Sequence, residues 1–409
     1  MRCGAVSLLL LPWAVTVAPA QQAPVMRHSH QWVLTRLKQM VAMDDAYLWH
    51  DLLGGRAIHQ NSRADPPTAP LEGNFHTQQQ AFYAAVKMDL YDLGGRREPR
   101  HLDDAGDLLT WVLANGYDAQ KQQFLFKYNM HTKQWDKSFY PEFNMMSVSA
   151  VLAYDSYRAS PELARAALNV LERIVQTEAF QPEGPKSLYA SGYLALKLLD
   201  AYDATKAERY LSLARQVVDL ANQTMWDAEH GGWLPSAAPD GAVAKHTTKF
   251  THTIANMVQA CFRLYLHVQG DEYRQYATEG LEFLAQHSRS PDGGWYRHTT
   301  RDGSDPTRPP GIGDGGTTEP GTPCVYDRMA QVMVACCLGY RATQDERYLK
   351  RLDETLDKME QTHLTTYPTG VNYGYISAGD YQNTWCHLWG LKAFIAIARL
   401  QESFLEAAG

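Results

Sequence analysis

The chain has 409 residues and a formal charge of −7, from 38 Lys and Arg against 45 Asp and Glu. That length can bury a large core, and mild acidity without a basic run argues against a nucleic-acid partner. Six cysteines, two of them adjacent at Cys336 and Cys337, make neither a disulfide framework nor a zinc spacing; Cys324 is the most loop-like.

Residues 1–20 have the form of a signal peptide. Arg2 gives a weakly basic start, 6–17 is a short apolar run, and Ala18-Pro19-Ala20 is a small-x-small cleavage site before Gln21. This predicts a secreted or periplasmic protein whose functional part is one domain over 21–409. No later apolar stretch is long enough to span a bilayer, so no integral membrane segment is expected after signal removal.

From there the pattern is helical nearly throughout. Apolar spacing predicts helices near 31–49, 77–92, 104–115, 144–157, 161–178, 188–203, 206–225, 250–268, 272–287, 326–341, 344–361 and 384–403. Ser160-Pro161 reads as a cap before a first-turn proline, and Thr205/Glu208 and Thr343/Glu346 read as capping boxes. A weak repeat runs through the second half: Glu208-Arg209-Tyr210-Leu211, Asp271-Glu272-Tyr273-Arg274 and Glu346-Arg347-Tyr348-Leu349 each open a helix after a very short turn. Their tyrosines are expected to pack between neighbouring hairpins. Two copies lead into Gly231-Gly232-Trp233 and Gly293-Gly294-Trp295.

Twelve helices make six consecutive pairs. An open solenoid would keep uniform short loops; here short turns at 203–207 and 269–272 alternate with long loops at 226–249, 288–325 and 362–383. That alternation favours a closed all-α (α/α)6 toroid with the long loops gathered on one functional face. With the Trp226-Asp227…Gly231-Gly232-Trp233 loop and the Asn383-Thr384-Trp385…His387-Leu388-Trp389-Gly390 segment, the chain resembles the six-hairpin carbohydrate-active enzymes. That group holds glycoside hydrolases, polysaccharide lyases and sugar epimerases of the N-acylglucosamine 2-epimerase type. The resemblance implies a glycan ligand in a cleft where the long loops meet the inner helices.

The loops entering those helices carry suitable chemistry. Hydrolysis needs two carboxyls across the scissile bond. Glu142, between Pro141 and Phe143, is the best acid, since an apolar setting raises a carboxyl pKa. Asp327 is the best second carboxylate, with Asp380 and Glu319 behind it. A lyase needs a base and a group that neutralises a uronate, for which Tyr140, Tyr189, His246, Lys249, His252, Arg328, Asn383 and His387 are candidates. His76, Trp233, Trp295 and Trp385 complete the sugar-binding set. The plainer readings are a first-turn charge for Glu142, packing for each Trp and ordinary loop histidines. Hydrolase is the leading reading, ahead of a lyase and of a noncatalytic glycan binder. Asp302, Asp305 and Asp314 miss a calcium-loop spacing, and nucleotide, zinc-protease and serine-esterase motifs are absent, so neither metal nor cofactor is expected.

Overall fold

The computed structural model describes residues 26–58, 61–62, 74–182, 186–237, 248–304, 326–372 and 382–408. Twelve helices organise them: α1 (His30–Tyr47), α2 (Thr77–Leu93), α3 (Pro99–Gly116), α4 (Pro141–Tyr157), α5 (Pro161–Ile174), α6 (Leu188–Thr205), α7 (Glu208–Met225), α8 (Thr251–Val268), α9 (Asp271–His287), α10 (Tyr326–Thr343), α11 (Arg347–Thr362) and α12 (Thr384–Ala408). Each lies where the apolar spacing predicts one.

Two kinds of helix follow from two burial patterns. On α5 the buried residues are Leu163, Ala166, Ala167, Val170, Leu171 and Ile174, one stripe of an amphipathic helix. On α4 every residue from Asn144 to Leu152 is buried, and on α6 every residue from Ser191 to Leu199. A helix buried all round needs partners on every side. The even-numbered helices supply them for one another: α2 packs on α4, α4 on α6, α6 on α8, α8 on α10, α10 on α12, and α12 on α2. This is the closed inner ring of an (α/α)6 toroid. The odd-numbered helices form the outer layer, each packed against an inner one.

The pairing is offset from the order along the chain. The hairpins are α2/α3, α4/α5, α6/α7, α8/α9 and α10/α11, and the sixth joins the first helix, α1, to the last, α12. Twelve helices taken as consecutive pairs from the N-terminus would put each turn on the wrong face.

The short turns repeat in detail. Lys206, Gln269 and Gln344 hold left-handed backbone with φ of 57°, 55° and 60°. Their amides donate to the carbonyls of Tyr202, Tyr265 and Tyr340 at 2.7, 2.8 and 2.7 Å. The expected capping boxes are not formed. Thr205 and Thr343 end their own helices, donating to the carbonyls of Ala201 and Gly339, and accept from the amides of Ala207 and Asp345. The N-cap positions of the following helices fall instead on Ala207 and Glu346, beyond these threonines. The repeat tyrosines pack between hairpins as expected. Tyr273 on α9 donates to Asp219 on α7 at 2.8 Å, and Tyr348 on α11 meets Phe262 on α8 edge-on.

Left-handed backbone carries a steric cost at any residue with a Cβ. Gln269 is exposed and its side chain makes no hydrogen bond among the described residues. Gln269→Gly should therefore raise stability by about 1 kcal/mol, read as a higher thermal midpoint; an unchanged or lower midpoint would refute this account of the turn.

Candidate active site

Each inner helix begins on the long-loop side of the ring. Short antiparallel ladders stitch those loops together. Asn74–His76, before α2, pairs with Lys127–Asn129; Lys186–Ser187, before α6, pairs with Ser236–Ala237. Thr248–Phe250, before α8, pairs with His298–Thr300, and Gln382–Asn383, before α12, pairs with Asn61–Ser62. The first turns of the inner helices thus form the wall of one cup.

Its floor is aromatic. Phe82 of α2 lies 5.3 Å from Trp385 and 5.1 Å from Trp389 of α12 between ring centroids, and Tyr193 of α6 meets the same two rings at 6.3 and 6.1 Å. Gln331 of α10 donates to the Tyr193 hydroxyl. Below this layer a cavity of about 570 Å³ opens toward the short-turn face, lined among others by Lys197, Asp200, Arg263 and Lys392.

On the wall, Pro141 starts α4 and Glu142 follows it, 8% exposed. Glu142 forms no ion pair among the described residues, and burial pushes its carboxyl above the usual range against a smaller opposing bond from its own backbone amide. Phe143 stacks on Phe126 at 5.5 Å and 7° and meets Tyr189 at 6.2 Å. Tyr189 in turn lies 5.9 Å from His252, ring edge to face. His252, second in α8, is held well below its ordinary pKa by burial and then by the charges of Arg328 and Arg297, so it is a neutral imidazole. Its Nδ1 has no partner among the described residues. His76 is likewise neutral, its pKa lowered to about 3 by burial and then by Lys127. Gln78 Nε2 lies 2.9 Å from His76 Nδ1, while Nε2 of His76 stays unpaired. The wall therefore brings together a protonatable carboxyl, two neutral imidazoles, two guanidinium groups and a set of half-buried rings.

Glu142, His252, His76, Tyr140, Trp385 and Arg328 stand at or near this cup, as their places in the sequence predict. Others do not reach it. Trp233 and Trp295 are 0% and 1% exposed, and their indoles donate to Asn222 of α7 and Thr355 of α11 at 3.0 and 2.9 Å. The glycines before them explain this. Gly231, Gly232 and Gly293 adopt φ of 75°, 68° and 90°, which folds each loop back and drives its Trp between helices of the outer layer. Gly280 on α9 leaves the room, since a Cβ there would come within 2.5 Å of the Trp233 ring. These tryptophans are structural plugs, not sugar contacts. The bond to Trp233 also engages Asn222, the acceptor of the Asn222-Gln223-Thr224 glycosylation sequon, inside α7.

Lys249 is fully buried, with Nζ 3.0 Å from Asp227, which also takes Arg301 at 2.8 Å. It is an anchor for the first Gly-Gly-Trp loop and not a ligand group. His387 is 1% exposed, its Nε2 2.7 Å from Asp44 on α1, so it belongs to the ring seam and not to the cup. Its place three residues after the helix start turns it to the outer layer. Asp327 is the second residue of α10 and Asn383 ends the strand before α12; their side chains, and all of His246, Glu319 and Asp380, lie outside the described residues. Asp302 accepts from Thr300 and Ser304 within one turn, while Asp305 and Asp314 lie outside the described residues. No group of three metal-ligating side chains occurs among the described residues. Nor is any helix among them long and apolar enough to cross a membrane. Cys261, Cys336 and Cys337 are free and buried, Cys386 is buried, and Cys324 lies outside the described residues.

Several groups at the cup have no motif to announce them. Phe126, Arg297, Gln79, Asn256 and Gln331 come from separate stretches of chain. The one usable signal was polar residues on helices otherwise buried all round, as in Gln78-Gln79-Gln80 of α2.

Asp227 is held well below the carboxylate range; burial opposes this, and bonds from Arg301 and Lys249 overcome it. Its removal leaves a lysine buried without a counter-charge. Asp227→Ala should cost about 3–5 kcal/mol of stability, far more than Arg301→Ala at the exposed end of the same cluster. Equal thermal shifts for the two variants would contradict this.

The model of glycosyl hydrolase family 76 matches residues 189–382, from the first turn of α6 to the strand before α12. No curated protein matches the chain. Among solved structures, a sugar epimerase from a ruminal bacterium is similar at a TM-score of 0.73 and 11% identity over 90% of this chain and 98% of its own. The α-1,6-mannanase of Salegentibacter sp. HEL1_6 is similar at 0.62 and 14%, over 90% of this chain and 99% of its own. A polysaccharide lyase is similar at 0.59 and 13%, over 80% and 91%. The chain therefore has the six-hairpin fold that these carbohydrate-active enzymes share.

Proposed function

We propose that the protein is a glycoside hydrolase acting on an oligo- or polysaccharide, with Glu142 as the general acid. The carrying observation is a buried carboxyl whose pKa burial raises, without a counter-charge among the described residues, on the wall of a cup with half-buried aromatic rings. In this role Glu142 gives its proton to the glycosidic oxygen as the bond to the anomeric carbon breaks. The second carboxylate, which activates water or attacks, is Asp327. Its position supports this: Glu142 and Asp327 are each second in an inner helix, and α4 and α10 stand three places apart in a ring of six, on opposite sides of the axis. The family 76 match over α6 to α11 supports hydrolysis as the reaction class. A mannanase variant of the same fold, with two adjacent aspartates replaced by asparagine, is described as inactive. The signal-like pattern at 1–20 supports a substrate outside the cytoplasm, and neither cofactor nor metal takes part in this proposal.

A second reading has its own observation. His252, neutral and with an open Nδ1 beside Arg297 and Arg328, is equipped to remove a proton from a sugar carbon, as a lyase or an epimerase requires. The products separate the two. Hydrolysis gives a new reducing end without an ultraviolet chromophore, elimination from a uronate gives an unsaturated product that absorbs, and epimerisation leaves every linkage intact.

Glu142→Gln should lower kcat by about 10²–10⁴-fold on a glycan, and by much less on an aryl glycoside whose leaving group needs no proton. Since the acid acts only when protonated, and burial raises its pKa, wild-type activity should fall as pH rises through that raised value. The variant should lose this alkaline limb. Unchanged turnover in Glu142→Gln would remove the residue from catalysis.

A further inference from the structure

Three aromatic rings stand outside the cup on the same side as Glu142. Tyr140 is the residue before α4 and is 38% exposed; Phe143, three residues on, shares its face of the helix; Phe126 comes from the preceding loop. They touch one another, with centroids 4.9 Å apart for Tyr140 and Phe126 and 5.5 Å for Tyr140 and Phe143. The strip is rigid. Backbone bonds from Phe126 to Asp136 and from Thr77 to Phe126 fix its loop, and Asn144 ties α4 back to the Tyr140 carbonyl. It runs into the cup without a break, from Phe143 to Tyr189 and then to His252 and Tyr193. Glu142 lies between Tyr140 and Phe143 in the chain, buried and about 100° round the helix from Phe143.

A rigid, half-exposed aromatic strip has a definite use beside a sugar site. The ring face packs against the C–H face of a pyranose, and the hydroxyls at the sugar's edge stay in water; with no rotamer freedom left to lose, little entropy opposes it. We propose that Tyr140, Phe126 and Phe143 form a second sugar subsite, which holds the unit on the far side of the bond that Glu142 addresses. The ligand is then a glycan chain of at least two units, not a free monosaccharide. This rests on the reading of Glu142 as the acid, but its binding test does not.

The probes are mono- to tetrasaccharide ladders of α-1,6-mannose, β-1,4-glucose and β-1,4-xylose, titrated calorimetrically into the full chain. In at least one ladder the tetrasaccharide should bind about tenfold or more tighter than the monosaccharide. Tyr140→Ala should bring that ratio close to one, and Tyr140→Phe, which keeps the ring and loses the hydroxyl, should preserve it. Matching thermal midpoints for the three proteins show that the fold is intact. A flat ladder in every series, a ratio untouched by Tyr140→Ala, or a ratio lost equally in Tyr140→Phe would each overturn the subsite. Failure of the hydrolase reading appears elsewhere, as full turnover in Glu142→Gln, and leaves the ladder readable.

Discussion

Everything in this fold depends on closing the ring of inner helices. Nine consecutive buried residues on α4 and on α6 leave no face that water could cover, so each inner helix needs a neighbour on both sides and an outer helix behind. A chain of hairpins that began and ended on its own would expose two such faces. The protein avoids this by packing its last inner helix, α12, against its first, α2, with α1 behind α12 as the outer helix of that joint. The seam is held by polar contacts as well as by packing. Tyr83 of α2 donates to Asp44 of α1 at 2.8 Å, and His387 of α12 stands 2.7 Å from the other oxygen of that carboxylate, out of line for a ring N–H bond. Beside it, fully buried Lys87 of α2 pairs with Asp104 of α3 and Asp45 of α1. Burying such groups is costly unless each has its partner in place, so these contacts specify one register for the joint.

Closure also makes the two ends of the ring unlike. Inner helices that all run the same way put every long loop at one end and every short turn at the other. At the short-turn end the buried charges answer one another. Burial works to raise the Asp200 carboxyl, but Lys197, Arg263 and Lys392 around it hold it far below its usual range, and Lys392 and Arg399 hold Asp89 low in the same way. That end is an ionic closure under the aromatic floor. At the long-loop end one buried cluster, Lys249 and Arg301 on Asp227, is matched in the same way, while Glu142 on the first turn of α4 has no ion-pair partner among the described residues.

What the sequence made legible followed from periodicity and from local setting. Helix spacing located all twelve helices and the polarity of the ring. Glu142 was legible because its two neighbours in the chain, Pro141 and Phe143, already describe its environment. The misreadings share one cause: a residue's place along the chain does not give its direction. Trp233 and Trp295 do sit in the right loops, but the left-handed glycines beside them reverse the chain and point the indoles away from the cup. His387 lies in the right turn of the right helix, on the face that meets α1. Thr205 and Thr343 fit a capping pattern by spacing, yet their hydroxyls bond within the helix they end. The offset was present in the short turns at 203–207 and 269–272, but the contact of α1 with α12 has no local signal, because it joins residues more than 300 positions apart.

Direction leaves a physical mark, which is whether a buried polar atom has its partner. Away from the cup's wall several are matched. Gln80 exchanges two bonds with the backbone of Ile58, both Gly-Gly-Trp indoles have acceptors, and Lys249 has Asp227. Toward the starts of α2 and α8 others are not: Nε2 of His76, Oε1 of Gln78 and of Gln79, Nδ1 of His252 and, one turn further on, both polar atoms of Asn256 lack partners among the described residues. Unpaired atoms occur elsewhere too, as at both ring nitrogens of His387 and Nε1 of Trp389 on α12. Each such atom costs about 1–3 kcal/mol if nothing meets it. A closed ring that carries such costs near the starts of α2 and α8 leaves donors and acceptors there for a polar ligand or water to meet. The same ring that must seal itself at α1 and α12 is therefore what allows the opposite demand, unmet polarity, to persist at its mouth.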